Sequence, residues 1–109
     1  MFGGDLAIHT FAESDRTDGP PEAIAHGILA GPVSLHATDA SPGEETVAMA
    51  GMSLVLLGAA DAATLTQWFA DLSSHGTVID PLQERPWGAC DGQVRDRFSI
   101  RWLIGYEPA

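Results

Sequence analysis

Only one stretch of this chain has the spacing of an amphipathic helix. Leu65, Trp68, Phe69 and Leu72 recur at i, i+3, i+4 and i+7, which puts all four on one helical face. Asp61 stands where its carboxylate can cap the first turn, and Gly76 marks the stop. The remainder is cut into short runs by 12 glycines and 7 prolines, so the rest of the order has to come from strands joined by turns. The expected class is therefore α+β.

The strand segments can be read one by one. Residues 5–12 (DLAIHTFA) favour a strand, and 13–22 (ESDRTDGPPE) an exposed loop. In 23–30 (AIAHGILA), Ile24, His26, Ile28 and Ala30 alternate onto one face. Gly31-Pro32 turns the chain into a strand at 33–38 (VSLHAT), and 39–46 is a second loop. Residues 52–57 (MSLVLL) read as a buried strand ahead of the helix, and 77–82 (TVIDPL) as a strand after it. Within 87–96 the Asp91-Gly92 pair predicts a turn between two short extended pieces. Residues 100–106 close the chain, with Ile100, Trp102, Ile104 and Tyr106 on one face. The order is three strands in 1–46, then strand, helix and three strands in 52–109. It reads as two copies of a βαβββ unit, the first without its opening strand and helix. On that reading Gly3-Gly4, a helix-ending signal with no helix before it, is the tail of the missing one.

Composition narrows the partners. A length of 109 residues with 45% apolar side chains suits one domain with a real core. Fifteen acidic residues against five basic ones give a net charge of −10, which argues against nucleic acid as a partner. All five basic residues are arginines, so no lysine is present to form a Schiff base. Cys90 is the only cysteine, which excludes a disulfide within the chain and fits a reducing, cytoplasmic location. The longest apolar stretch, residues 47–63, is interrupted by Gly51, Gly58 and Asp61, so no membrane span is expected. Nor does a basic segment precede an apolar one at the N-terminus, as a secretion signal requires.

Specific residues resemble a family. Pro81-Leu82-Gln83, Trp87-Gly88, Asp96-Arg97-Phe98-Ser99 and Trp102 resemble the C-terminal signature of the PhnB-like proteins, a branch of the vicinal-oxygen-chelate superfamily of glyoxalases, bleomycin-resistance proteins and dioxygenases. Phe2-Gly3-Gly4, His26 and the loop Thr38-Asp39-Ala40-Ser41-Pro42-Gly43 are similar to upstream features of the same branch. The resemblance implies paired βαβββ modules in the glyoxalase/bleomycin-resistance fold, with the first module (1–46) reduced to three strands and the second (52–109) whole. An opening segment of about 25–30 residues is what the match lacks, judged by strand and helix rise. Bare sheet edges and uncovered apolar surface then imply a homodimer, with domain exchange as one route.

The resemblance also implies where a metal would bind: a ligand on the first strand of each module and a glutamate on the last. The second-module positions fall at Met52-Ser53 and Leu103, which are poor donors. No metal and no cofactor are expected. The name 3-demethylubiquinone-9 3-methyltransferase, used for some PhnB-like proteins, finds no glycine-rich adenosyl-cofactor turn here. Candidate ligand-binding residues are His26, His36, Trp87, Trp102 and Arg101. Imidazoles on a strand can line a pocket or fill a core; tryptophans can stack a flat ligand or pack; arginines can gather an anion or form salt bridges. Cys90 lacks a sequence-local cation to activate it as a nucleophile, and Asp96 is expected to hold the turn before the last strand. The leading reading is a small-molecule-binding protein without an intact metal site. The alternatives are a metal-dependent lyase, isomerase or dioxygenase rebuilt across a dimer, and a structural remnant whose interface fills the pocket.

Overall fold

The computed structural model describes residues 1–48 and 50–108. Met49, inside the apolar stretch 47–63, and Ala109, at the end of the second expected module, lie outside them. The chain divides into two compact units, Phe2–Val47 and Ala48 onward.

The second unit contains β4 (Leu54–Leu57), α1 (Ala62–Ser73), β5 (Thr77–Glu84), β6 (Cys90–Arg95) and β7 (Arg101–Tyr106). Its sheet runs β4-β7-β6-β5, with β4 parallel to β7 and the other pairs antiparallel. Parallel neighbours need a long crossover, and the helix lies within that connection. Asp61 Oδ1 accepts the Thr64 backbone N–H at 2.8 Å, the N-cap that its position predicts. Leu65, Trp68 and Phe69 are buried beneath the helix, as are Val94, Trp102 and Ile104 of the sheet. Burying each such side chain stabilises by about 1.5–3 kcal/mol, so these six hold the unit together.

Two sequence expectations fail in this sheet, for identifiable reasons. Asp91-Gly92 is not a turn; both residues lie inside β6. The reversal occurs at Arg85–Gly88, where the Gly88 N–H donates to the Arg85 carbonyl at 2.9 Å and Gly88 has φ +99°. Gly92 is needed for space, because a Cβ there would come within 2.7 Å of the Leu82 nitrogen and 2.8 Å of its Cα. β5 presses in at that point because it carries irregularities in register between Val78 and Asp80 and again between Asp80 and Gln83. Each inserts one extra residue, and the second accommodates Pro81, which has no N–H to give the ladder. The other failure is β4, expected to be buried: it is an edge strand, with Val55 and Leu57 more than half exposed or close to it.

The first unit contains β1 (Asp5–Thr10), β2 (Ile24–Ala30) and β3 (Leu35–Ala37) in an antiparallel meander. Gly4 explains the glycine pair at the start of the chain. It adopts φ +101°, and a Cβ would lie 2.2 Å from the Ala30 carbonyl oxygen, so close approach to the end of β2 requires glycine. The strand expected over 5–12 stops at Thr10, and Phe11 turns inward to become fully buried. The polar loop that follows is organised around it. Arg16 stacks 4.0 Å above the Phe11 ring and forms an ion pair with Asp18, while also donating to Ser41 Oγ at 3.1 Å.

Candidate functional site

The expected ligand-binding residues do not converge on one place. His26 and His36 come together: Nε2 of His26 and Nδ1 of His36 are 2.9 Å apart, so one ring donates and the other accepts. They sit on neighbouring strands and share a sheet face, since His36 pairs with Ile28 and that residue alternates with His26. His9 is the direct register partner of His26 on the other side. Both members of the bonded pair are exposed. Among the described residues no three His, Cys, Asp or Glu side chains form a set that could hold a metal ion.

Trp102 is placed differently from a pocket wall. It is buried on the helix-covered face, and its indole N–H donates to Asp96 Oδ2 at 2.9 Å. Asp96 Oδ1 accepts the backbone N–H groups of Phe98 and Ile100 at 2.8 and 3.0 Å, so one carboxylate fixes both the turn and the tryptophan. Ser99, with φ +67°, is held in that turn.

Trp87 is 74% exposed and stands at a cleft of about 640 Å³ at one end of the second unit. Leu57, Cys90, Tyr106 and Glu107 line the same cleft, together with Asp61 at the start of α1. An aromatic face, a phenol, a thiol and a carboxylate around such a volume suit a small organic molecule. Asp61 is committed to its cap, and Thr64, through its side-chain hydroxyl first and its backbone N–H second, holds the carboxyl below the usual range. Asp91, also on the cleft, is tied to Arg85 at 2.8 Å, and Arg85 reaches Asp80 at 2.6 Å. These two carboxylates, Asp80 first, raise the Arg85 pKa further above its ordinary value. The network clamps β5 to β6 beside the turn that presents Trp87.

Arg101 lies at the far end of the sheet from Trp87. Along β6, Cys90 and Arg95, the partner of Arg101, stand at opposite ends, roughly 17 Å apart by strand rise. Its Nε and Nη2 both donate to Gln93 Oε1, at 2.9 and 2.5 Å. Leu103, where the resemblance places a metal-binding glutamate, pairs with Gln93 and Val55. Sequence reasoning missed Tyr106, Glu107 and Gln93 as site residues. Breaking β6 at Asp91-Gly92 concealed that Asp91, Gln93 and Arg95 alternate along one face.

Among the described residues, two sheets and one helix make a mixed α+β arrangement that matches the PhnB-like fold. Among the solved structures similar to this chain, two are described. Protein PA1353 from Pseudomonas aeruginosa is 29% identical, over 97% of this chain and 80% of that one, with a TM-score of 0.77. A PhnB protein from Bacillus cereus, described as a candidate 3-demethylubiquinone-9 3-methyltransferase, is 16% identical over 92% of this chain and 76% of that one, with a TM-score of 0.68. No protein-family model and no curated protein matches the chain. Among the described residues no helix is long and apolar enough to cross a membrane.

Proposed function

We propose that this is a small-molecule-binding protein of the vicinal-oxygen-chelate type, which works without that superfamily's metal centre. The observation that carries this reading is Trp87, a large aromatic side chain left 74% exposed beside a cleft of ligand size. An aromatic face beside such a cleft offers apolar area that a bound molecule would remove from water. The ligand is a flat organic molecule that stacks on the indole and meets Tyr106 and Glu107. Leu103 and Met52-Ser53 are poor substitutes for the ligands that metal-assisted chemistry requires.

Trp68 and Trp102 are buried, so emission changes on binding report Trp87. Titration with 1-naphthol, a neutral bicyclic probe, is expected to give a saturable change, and Trp87→Ala to abolish binding measured calorimetrically. No saturable change in the intact protein overturns the reading.

The paired-module architecture belongs to the same proposal. Its support is topological: β1-β2-β3 is a meander like β5-β6-β7, and β4 and α1 precede only the second. A homodimer is proposed as well, in which a second copy covers the apolar groove of Leu6, Ile8, Leu29 and Leu35. Sedimentation equilibrium is expected to show a dimer that Leu6→Ser weakens; a monomer at all concentrations rejects it.

One observation favours a second reading. The 2.9 Å contact between His26 and His36 supplies two nitrogen donors to which a second subunit could add more, giving a metal-dependent lyase, isomerase or dioxygenase. Metal analysis of the purified protein decides between them: near-stoichiometric metal lost on His26→Ala supports this reading over the first.

A further inference from the structure

The face of the second sheet opposite α1 carries an unusual pair. Arg95 and Arg101 are direct cross-strand partners, so their side chains leave the sheet on the same side and start close together. Like charges set opposite each other destabilise a sheet. The chain has fifteen acidic residues, yet among the described residues the ion pairs are made by Arg16 and Arg85 alone. Arg101 is half-buried, and its hydrogen bonds go to a neutral amide, Gln93. That amide fixes the guanidinium plane and uses two of its five N–H donors, leaving three to point elsewhere. Arg95 is exposed. Next along the same face lie Leu103 and its partner Val55, which is 50% exposed.

We infer that Arg95 and Arg101 form a seat for a dianionic oxyanion, with Leu103 and Val55 as an apolar floor for the organic group attached to it. Two unneutralised guanidiniums match the charge of a phosphate monoester better than that of a single carboxylate, and each fork matches oxyanion geometry. A bound dianion removes the repulsion between the arginines. This seat is separate from the Trp87 cleft, and the two can fail independently.

The test is calorimetric titration of the whole protein with phenyl phosphate, benzoate and inorganic phosphate at pH 8. Phenyl phosphate is expected to bind more tightly than benzoate, which has the same body with one charge, and than inorganic phosphate, which has no body. Arg101→Gln is expected to weaken phenyl phosphate about tenfold or more, the scale of a lost charge-assisted hydrogen bond. Arg95→Gln is expected to weaken it less, and Arg101→Lys to fall between wild type and Arg101→Gln. Circular dichroism of each variant establishes that it is folded. Equal affinity in wild type, Arg95→Gln and Arg101→Gln overturns the proposal, as does no binding of phenyl phosphate to the wild type. Binding lost in Trp87→Ala but kept in Arg101→Gln puts the anion in the cleft, which overturns the seat and leaves the cleft reading intact.

Discussion

The two sheets of this molecule are built from similar meanders but are stabilised differently. In the second, α1 covers one face and buries Trp102, Ile104 and Val94. In the first, no helix is present: Leu6 is 66% and Ile8 49% exposed, and the fully buried side chain is Phe11, in a loop. A shared three-strand meander therefore does not determine where a core forms. The helix decides it for one unit, and a stacked Arg-Phe loop for the other.

The largest expected effect follows from that contrast. Ile104→Ala should cost about 2–5 kcal/mol, as for deletion of a buried aliphatic group, whereas Leu6→Ala should cost below about 0.5 kcal/mol when the protein is monomeric. Urea unfolding of both variants checks this, and equal losses would show that the first sheet has a covered core after all. Next is Asp96→Ala, which leaves the indole N–H of Trp102 and two backbone N–H groups without their acceptor. About 1–3 kcal/mol should be lost, with Asp96→Asn recovering part. Gly92→Ala should cost a similar amount, about 1–3 kcal/mol, by forcing the Leu82 backbone away. The smallest effect concerns the loop of the first unit. The Arg16 ion pair lowers the Asp18 pKa to about 2. Because the folded value lies below the ordinary 3.8, the contribution is complete above that pH and is lost as pH falls through about 2. An NMR titration should find the Asp18 midpoint near 2, and Arg16→Gln should move it up toward 3.8.

How much of this was legible in the residues depended on how local the cause was. Helix α1 and its cap followed from Leu65, Trp68, Phe69 and Asp61, because i, i+3, i+4 spacing and a capping carboxylate act within a few residues. Strand ends were less legible: Phe11 fell inside the strand expected over 5–12, and its burial depends on loop residues such as Arg16 and Gly19 that fold back over its ring. Asp91-Gly92 was misread because the dipeptide favours turns locally, while its real constraint comes from Leu82 on the neighbouring strand. At the candidate sites, Trp87, His26, His36 and Arg101 could be picked out by residue type. Their grouping could not. The His26–His36 contact depends on the β2–β3 register, and the opposition of Arg95 to Arg101 on the β6–β7 register, neither of which residue spacing alone supplies.

The double irregularity in β5 bears on how this chain can change in length. Val78 pairs with Val94 on the helix side, but the extra residue at Ile79 moves Asp80 to the side of Gln93, and the second extra residue keeps Gln83 in phase with Asp91. Point substitutions between 79 and 82 leave that phase intact. Deleting an extra residue removes the two-against-one step without changing the face that later residues take: without Ile79, Val78 and Asp80 become successive residues opposite Val94 and Gln93. This short segment should therefore tolerate the loss of one residue, which straightens the strand while Gln83 keeps its place opposite Asp91, whereas exchange of Asp80 would release Arg85 from one of its two carboxylates.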